Sequence, residues 1–233
     1  MTGYDEDLAY THDRGFGHVA EDAARYVLTL LPAHAEVVEL GCGSGITARR
    51  LTDAGHGVHG IDQSPALIAL ARDRAPDARF RIGSFVREPL PECDAVLAIG
   101  EVLNYLFDEG NTRAALPTLI ERVHGALRPG GLLLFDLAGP GVLHGDGRRH
   151  FSAGPDWAVL VEYHEQGDVL TRHITSFVER GAGYRRSEEI HRQRVYRPAE
   201  ILPLLRAAGF TARNARGYSA GPGRHVYLAR KPR

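Results

Sequence analysis

Residues 36–51 read EVVELGCGSGITARRL, an apolar run that breaks into three glycines at alternate positions and resumes as a helix-forming stretch. Few local patterns restrict a fold so strongly. The apolar run predicts a strand over 36–40, and Gly41, Gly43 and Gly45 let the backbone turn sharply and approach a ligand before a helix over 45–54. A dinucleotide-binding loop of this kind needs a small residue at position 46, where helix and strand pack closely, and Ile46 stands there instead. A phosphate-binding P-loop needs a lysine at its end. Among the 28 basic side chains Lys231 alone is a lysine, which excludes that loop and also Schiff-base chemistry on a buried lysine.

Glu39, two residues before Gly41, narrows the ligand further. Its carboxylate would repel a pyrophosphate but suits a molecule carrying an ammonium group, and S-adenosylmethionine (SAM) carries one. Around this loop, short apolar strands alternate with amphipathic helices, the rhythm of a parallel sheet buried on both faces. Residues 18–31 place Val19, Ala23, Tyr26, Val27 and Leu30 on one helical stripe that Pro32 ends. Further strands are predicted at 57–61, 78–82, 94–99 and 131–137. Helices are predicted at 65–74, across 102–107 and at 112–127, with LRPGG (127–131) turning the chain into the next strand.

After Leu137 the pattern changes to antiparallel alternation at 157–163, 169–179 and 184–196. A helix at 198–208 follows, then strands at 211–218 and 224–230. The SAGPG between those two strands is too short for a parallel crossover, so they form a hairpin. The expected organisation is an N-terminal lid and helix (1–35), a core (36–139 and 197–233) and an antiparallel insert capping an acceptor pocket (140–196). With 233 residues and 43% hydrophobic side chains the chain supports one large domain with a small appendage.

Asp62 ends the second strand, where its carboxylate is in register with the glycine loop to accept both ribose hydroxyls of an adenosine. At this point ELGCGSG, GIDQSP with its ALIALAR helix, CDAVLAIGEVLNYL, LRPGGLLLFDL and RAAGF together resemble the class I SAM-dependent methyltransferase family, over nearly the whole chain. The resemblance implies an α/β fold with a seven-stranded, mostly parallel Rossmann-like sheet ordered 3-2-1-4-5-7-6, the last strand antiparallel, with helices on both faces. It implies SAM as cofactor, S-adenosylhomocysteine as product, and a site across the carboxyl ends of strands 1, 2 and 4. Glu39 would orient the methionine ammonium, with Gly41, Cys42, Gly43 and Gly45 forming the floor. Asp62 would hold the ribose, Gln63 would lie beside the adenine, and Ile99 and Gly100 would turn carbonyl oxygens to the ammonium. The family often has an acid after strand 3; this chain has Ser84 and Phe85 there, whose backbone N–H groups and ring would serve instead. Tyr4, Tyr10 and His12 lie in a segment that similar methyltransferases use as a lid, which adds Tyr10 to the cofactor contacts. Cys42 and Cys93 would sit at opposite ends of their strands, excluding a disulfide.

Methyl transfer from a sulfonium is an in-line displacement governed by positioning, so no motif dictates a catalytic residue. Glu101, Asn104 and Tyr105 follow the fourth strand, where ligand-binding loops gather. Glu101 is either a base for the acceptor or a carboxylate stabilising a helix start. His144, Glu162, His164, His173 and His191 lie in the insert, and inward-facing ones among them would touch the acceptor. No metal-ligand spacing stands out among the twelve histidines, and a single Glu-x-x-His at 188–191 is half of a di-iron pattern. The chain also lacks the Asn-Pro-Pro-Tyr and Thr-His-Trp signatures of macromolecular methyltransferases.

The acceptor is therefore expected to be a small molecule methylated on nitrogen or oxygen, with no nucleic acid or membrane partner and with a homodimer left open. Residues 198–233 hold seven basic side chains against one acid, which reads as arginines on solvent-facing strand positions. The acidic start MTGYDEDLAY is neither a signal nor a transit peptide, so a cytoplasmic protein is expected. Two other readings stay open: a SAM enzyme that transfers no methyl group, and a non-catalytic SAM-binding module.

Overall fold

The computed structural model describes residues 3–141, 147–218 and 223–233. The chain starts with two helices, α1 (Glu6–Phe16) and α2 (His18–Leu28). The core then alternates β1 (Glu36–Leu40), α3 (Ile46–Asp53), β2 (Gly57–Asp62), α4 (Pro65–Arg74), β3 (Arg79–Ile82) and β4 (Cys93–Ala98). A single 3-10 turn (Val102–Asn104), α5 (Ala115–Ala126) and β5 (Leu127–Ala138) complete its first part. Next come the insert strands β6 (Arg148–Ala153), β7 (Trp157–Gln166), β8 (Val169–Arg180) and β9 (Gly183–Arg194). The chain closes with α6 (Pro198–Ala207), β10 (Thr211–Ala215) and β11 (Arg224–Arg230).

The main sheet runs β10-β11-β5-β4-β1-β2-β3, parallel except where β11 lies antiparallel to both β5 and β10. This is the expected 3-2-1-4-5-7-6 order in a Rossmann-like α/β sheet. Its apolar side chains divide by strand parity. Val38, Leu40, Val96, Phe135 and Tyr227 face α5 and α6, whereas Val37, Leu97, Leu134 and Leu228 face α2 and α3. Local signals place the helices between the strands. Ser64 caps α4 by accepting Leu67 N–H at 3.1 Å, with Pro65 in the first turn. Gly45 starts α3 at φ +76°, and a β-carbon there would come within 2.9 Å of Ala71 Cα on α4.

The second sheet, β6-β7-β8-β9, is wholly antiparallel. Its inner face buries Trp157, Val159, Val161, Ile174 and Val178 against α1, chiefly against Leu8. Each such side chain contributes roughly 1.5–3 kcal/mol of apolar burial, which holds α1 down as a roof. Pairing parity fixes the rest: Arg172 opposes His191 and Leu170 opposes Gln193, so Arg172, His191 and Gln193 share the inner face with Ile174.

Several expectations are corrected here. The lid segment is a regular helix, and the insert has a fourth strand, β6, whose RRHFSA pairs with β7. The helix expected across 102–107 is only the 3-10 turn. Glu162, His164 and His173 lie on the outer face, because Glu162 opposes His173 and sits one residue out of phase with the buried Val161. None of these three reaches the pocket beneath the sheet. Cys42 and Cys93 are both buried and free, and no helix among the described residues is long and apolar enough to cross a membrane.

Candidate functional site

At the carboxyl ends of β1, β2 and β4 lies a cavity of about 700 Å³. Gly41, Gly43, Asp62, Gln63, Phe85, Ile99 and Gly100 line it, joined by Tyr4 and His12 from the roof and by Tyr105 and Phe107. The glycines work differently from one another. Gly41 has φ +63°, and a β-carbon there would strike Val102 at 2.5 Å, so any side chain would both strain the turn and displace that wall. Gly43 has φ +52° with nothing within 4 Å of its missing β-carbon, which leaves backbone bare towards the cavity. Asp62 is fixed by two backbone donors, Gly43 N–H to Oδ2 and Ser64 N–H to Oδ1, each at 2.9 Å. Burial raises its pKa, opposed by those bonds.

Glu39 lies beneath the glycine loop, 3% exposed, and its Oε2 is buried without a hydrogen-bond partner. Burial pushes its carboxyl up to about 8, against a hydrogen bond from Thr47. A buried carboxyl with an orphaned oxygen fits a ligand that brings a cationic donor.

Other expected cofactor residues stand elsewhere. Cys42 turns its sulfur under β2 towards Gly60 and lends only backbone. Gly45 serves the packing of α3 on α4. The Ser84 hydroxyl accepts Val86 N–H in its own turn, and Gly83 and Phe85 line the cavity instead. Tyr10 is corrected outright. Its hydroxyl donates to Asp156 and its ring lies against Arg14 and Arg180, so it latches α1 to the insert on the far side of the helix.

A second cavity, of about 1050 Å³, lies between α1, β7, β8 and the end of β4. It shares Tyr4, His12, Ile99, Gly100 and Tyr105 with the first. The Tyr4 and Tyr105 hydroxyls meet at 2.8 Å at this junction. His12 is half-buried beside them, and desolvation lowers its imidazole to about 4.

Glu101 borders the second cavity and is 2% exposed, at φ +63°, a left-handed conformation uncommon for a residue with a side chain. Asp136 at the end of β5 holds that turn by accepting Glu101 N–H at 2.7 Å and Gly100 N–H at 2.9 Å. Burial raises the Asp136 carboxyl to about 6, opposed by the Tyr218 hydroxyl. The Glu101 side chain meets Arg172 Nη2 at 2.5 Å, Gln193 Nε2 at 2.8 Å, and Arg224. Oε2 thus accepts two hydrogen bonds and Oε1 is ion-paired with Arg224, an arrangement that favours neither a free base nor a simple helix-start carboxylate. Asn104 is buried as a strut: it donates to the carbonyls of Ala138 and Arg194 and accepts Ala138 N–H. His191 contacts neither cavity, its Nε2 lying 2.8 Å from Glu189 Oε2, and Glu189 accepts N–H bonds from Tyr4 and Asp5. His144 lies outside the described residues.

Sequence reasoning missed Asp136, Arg172 and Arg224. The lone acid in GLLLFDL was a signal for the first, and an arginine in phase with Leu170 and Ile174 was a signal for the second.

Residues 37–131 match the family model described as "Methyltransferase domain". A protein of Geobacillus sp. (strain WCH70) that carries a methyltransferase name is 28% identical over 222 residues, 88% of each chain. The chain carries a methyltransferase domain. The methyltransferase shares its fold with solved relatives along its length. A SAM-dependent methyltransferase from Clostridium acetobutylicum superposes with TM-score 0.81 at 17% identity, covering 97% of this chain and 98% of that one. The sugar N-methyltransferase KedS8 from Streptoalloteichus sp. gives 0.79 at 21% identity, covering 100% and 95%.

The methyltransferase's first cavity fits SAM on its own chemistry. Glu39 offers an orphaned oxygen beneath the loop, Gly43 and Gly100 leave the backbone open, and Asp62 keeps lone pairs for vicinal hydroxyls.

Proposed function

We infer that this methyltransferase moves the methyl group of SAM to a nitrogen or oxygen atom of a small molecule held in the second cavity. The observation that carries this reading is the shared wall: Tyr4, His12, Ile99, Gly100 and Tyr105 border both cavities. A pocket roofed by α1 and β7–β8 encloses a metabolite-sized molecule and leaves no groove for a duplex or a folded protein. The likeness to a sugar N-methyltransferase supports a small acceptor as well.

Bound SAM supplies an electrophilic methyl carbon, and the protein supplies alignment. The Tyr4 and Tyr105 hydroxyls, at the junction, can donate to or accept from the attacking group. His12 is neutral at physiological pH and keeps a lone pair for a proton leaving the acceptor. Glu101, engaged on both oxygens, orients Arg172 and Arg224 rather than removing a proton.

The test is acceptor-dependent release of S-adenosylhomocysteine when purified protein is incubated with SAM and fractionated small metabolites. SAM left intact with every fraction, or turnover only with nucleic acid or protein, overturns the reading. Intact SAM with a rearranged substrate would point to an enzyme that uses only the sulfonium charge.

A further inference from the structure

The second cavity has a one-sided charge. Its walls are apolar where Leu8, Phe16, Val19, Val159, Val161 and Ile174 face in. At the end next to Gly100, Arg172 from β8 and Arg224 from β11 line it together with Glu101. Guanidinium groups do not lose their proton in proteins, so this end holds two positive charges. Glu101 is the one acid among the described residues that line the cavity, and the lining histidines His12, His18 and His150 add no negative charge. Among these lining side chains the permanent positive charges outnumber the negative ones by one. Water cannot screen that excess fully, since the side chain of Arg172 is 13% exposed and that of Arg224 is 30% exposed.

Structural need does not account for two arginines at this point. One guanidinium would neutralise Glu101, and Gln193 already supplies a neutral donor at 2.8 Å to the same oxygen that Arg172 holds. Arg172 is also steadied from other sides, by the Tyr105 hydroxyl at 3.3 Å and by the face of Tyr163, 5.8 Å from its ring centre. A planar donor fork held in a fixed orientation beside a cavity suits a planar two-oxygen anion.

We propose that the acceptor carries a carboxylate, which Arg172 and Arg224 hold at the Glu101 end of the second cavity while its apolar body lies under the insert. A single negative charge matches the single excess positive charge. A phosphate monoester, with close to two negative charges at neutral pH, would exceed it. The anchored carboxylate fixes one end of the acceptor, and the shared wall of Tyr4, His12 and Tyr105 then decides which atom of the molecule faces the methyl group. This rests on the second cavity being the acceptor site.

The experiment is calorimetric titration of the protein, loaded with S-adenosylhomocysteine, with a panel of aryl and alkyl carboxylic acids. Each acid is compared with its primary amide, its phosphate-ester counterpart and the amine of matching length. At least one acid should bind more than about tenfold more tightly than its amide, the range of a charge-assisted hydrogen-bond pair. In Arg224→Gln that preference should vanish, whereas Arg224→Lys should keep part of it. Binding of S-adenosylhomocysteine, measured first in every sample, reports folding and the cofactor site separately. If it fails in the wild type, the methyltransferase reading fails, and the carboxylate proposal falls with it. If it holds, any one of three results overturns the proposal alone: amides binding as tightly as acids, amines or phosphate esters binding more tightly, or no acid saturating the protein at millimolar concentration.

Discussion

The cofactor cavity is built on the glycine-bearing ends of neighbouring strands, and the cavity beside it is walled by side chains from elements far apart in the sequence. Gly41, Gly43, Ile99 and Gly100 meet the first cavity at strand ends, Asp62 lines it from the end of β2, and Glu39 lies buried within β1. The second cavity draws Leu8 from α1, Val161 and Tyr163 from β7, Arg172 from β8, and Arg224 from the start of β11. Contiguous backbone tolerates little change in sequence or geometry. Side chains gathered from distant strands can be exchanged one at a time without disturbing the sheet. This division lets one scaffold keep its methyl donor while its acceptor changes.

The largest expected effect tests the seam between the two regions. Glu101→Ala leaves Arg172 and Arg224 without their shared carboxylate, and losing one partner of a buried ion cluster costs about 3–5 kcal/mol of stability. Chemical denaturation should show that loss. Affinity of the folded fraction for S-adenosylhomocysteine should barely move, and a large drop there would mean that the two cavities are not separable.

A second effect sharpens the description of the cofactor side. Glu39 and Asp136 are raised by burial to about 8 and about 6, so the native state keeps protons that the unfolded chain releases. Their contribution is intact below the unfolded carboxyl range and is lost as pH rises through the native values. Stability of the ligand-free protein should therefore fall from about pH 5 to 8. Glu39→Gln should flatten the upper half of that fall. SAM, whose ammonium favours the charged carboxylate, should release a proton on binding, seen as an enthalpy that varies with buffer. A flat stability profile and a buffer-independent enthalpy would contradict the orphaned Glu39.

Asp62→Ala should weaken cofactor binding by about 1.5–3 kcal/mol, the range for hydrogen bonds to a charged group, measured by calorimetry. Acceptor Michaelis constants should change far less. Smallest of all, Asp7→Asn loosens α1, because Asp7 accepts from Arg180 at 3.0 Å and from Arg185 at 2.5 Å on β8 and β9. Those guanidiniums are partly exposed, so the effect is about 1 kcal/mol, read as faster amide exchange over Glu6–Phe16.

The same division explains what could be learned from the amino-acid order alone. The glycine loop, Asp62 and the sheet order were legible because each depends on a short stretch whose backbone conformation its own residues dictate. Tyr10 was misplaced because its segment forms a helix, and helical spacing sends Leu8 and His12 to the second cavity while Tyr10 turns to Asp156. Which of the insert's acids and histidines face inward turns on one step of strand parity, and that step puts Glu162 outside. Arg224 opposes Ala138 across β11 and β5, a pairing that no local pattern announces.

Helix α1 covers both cavities, and beside its apolar seam at Leu8 it is fastened by polar contacts around its rim. Ser64 Oγ donates to Tyr4 O at 2.7 Å, Glu189 accepts Tyr4 N–H and Asp5 N–H, Arg74 meets Asp13 at 2.8 Å, and Arg180 and Arg185 hold Asp7. If that rim gates both cavities, release of spent cofactor and of methylated product is expected to need its unfastening. The kinetic signature is a turnover number that rises with ionic strength while the rate of the methyl-transfer step itself, seen in a single turnover, does not.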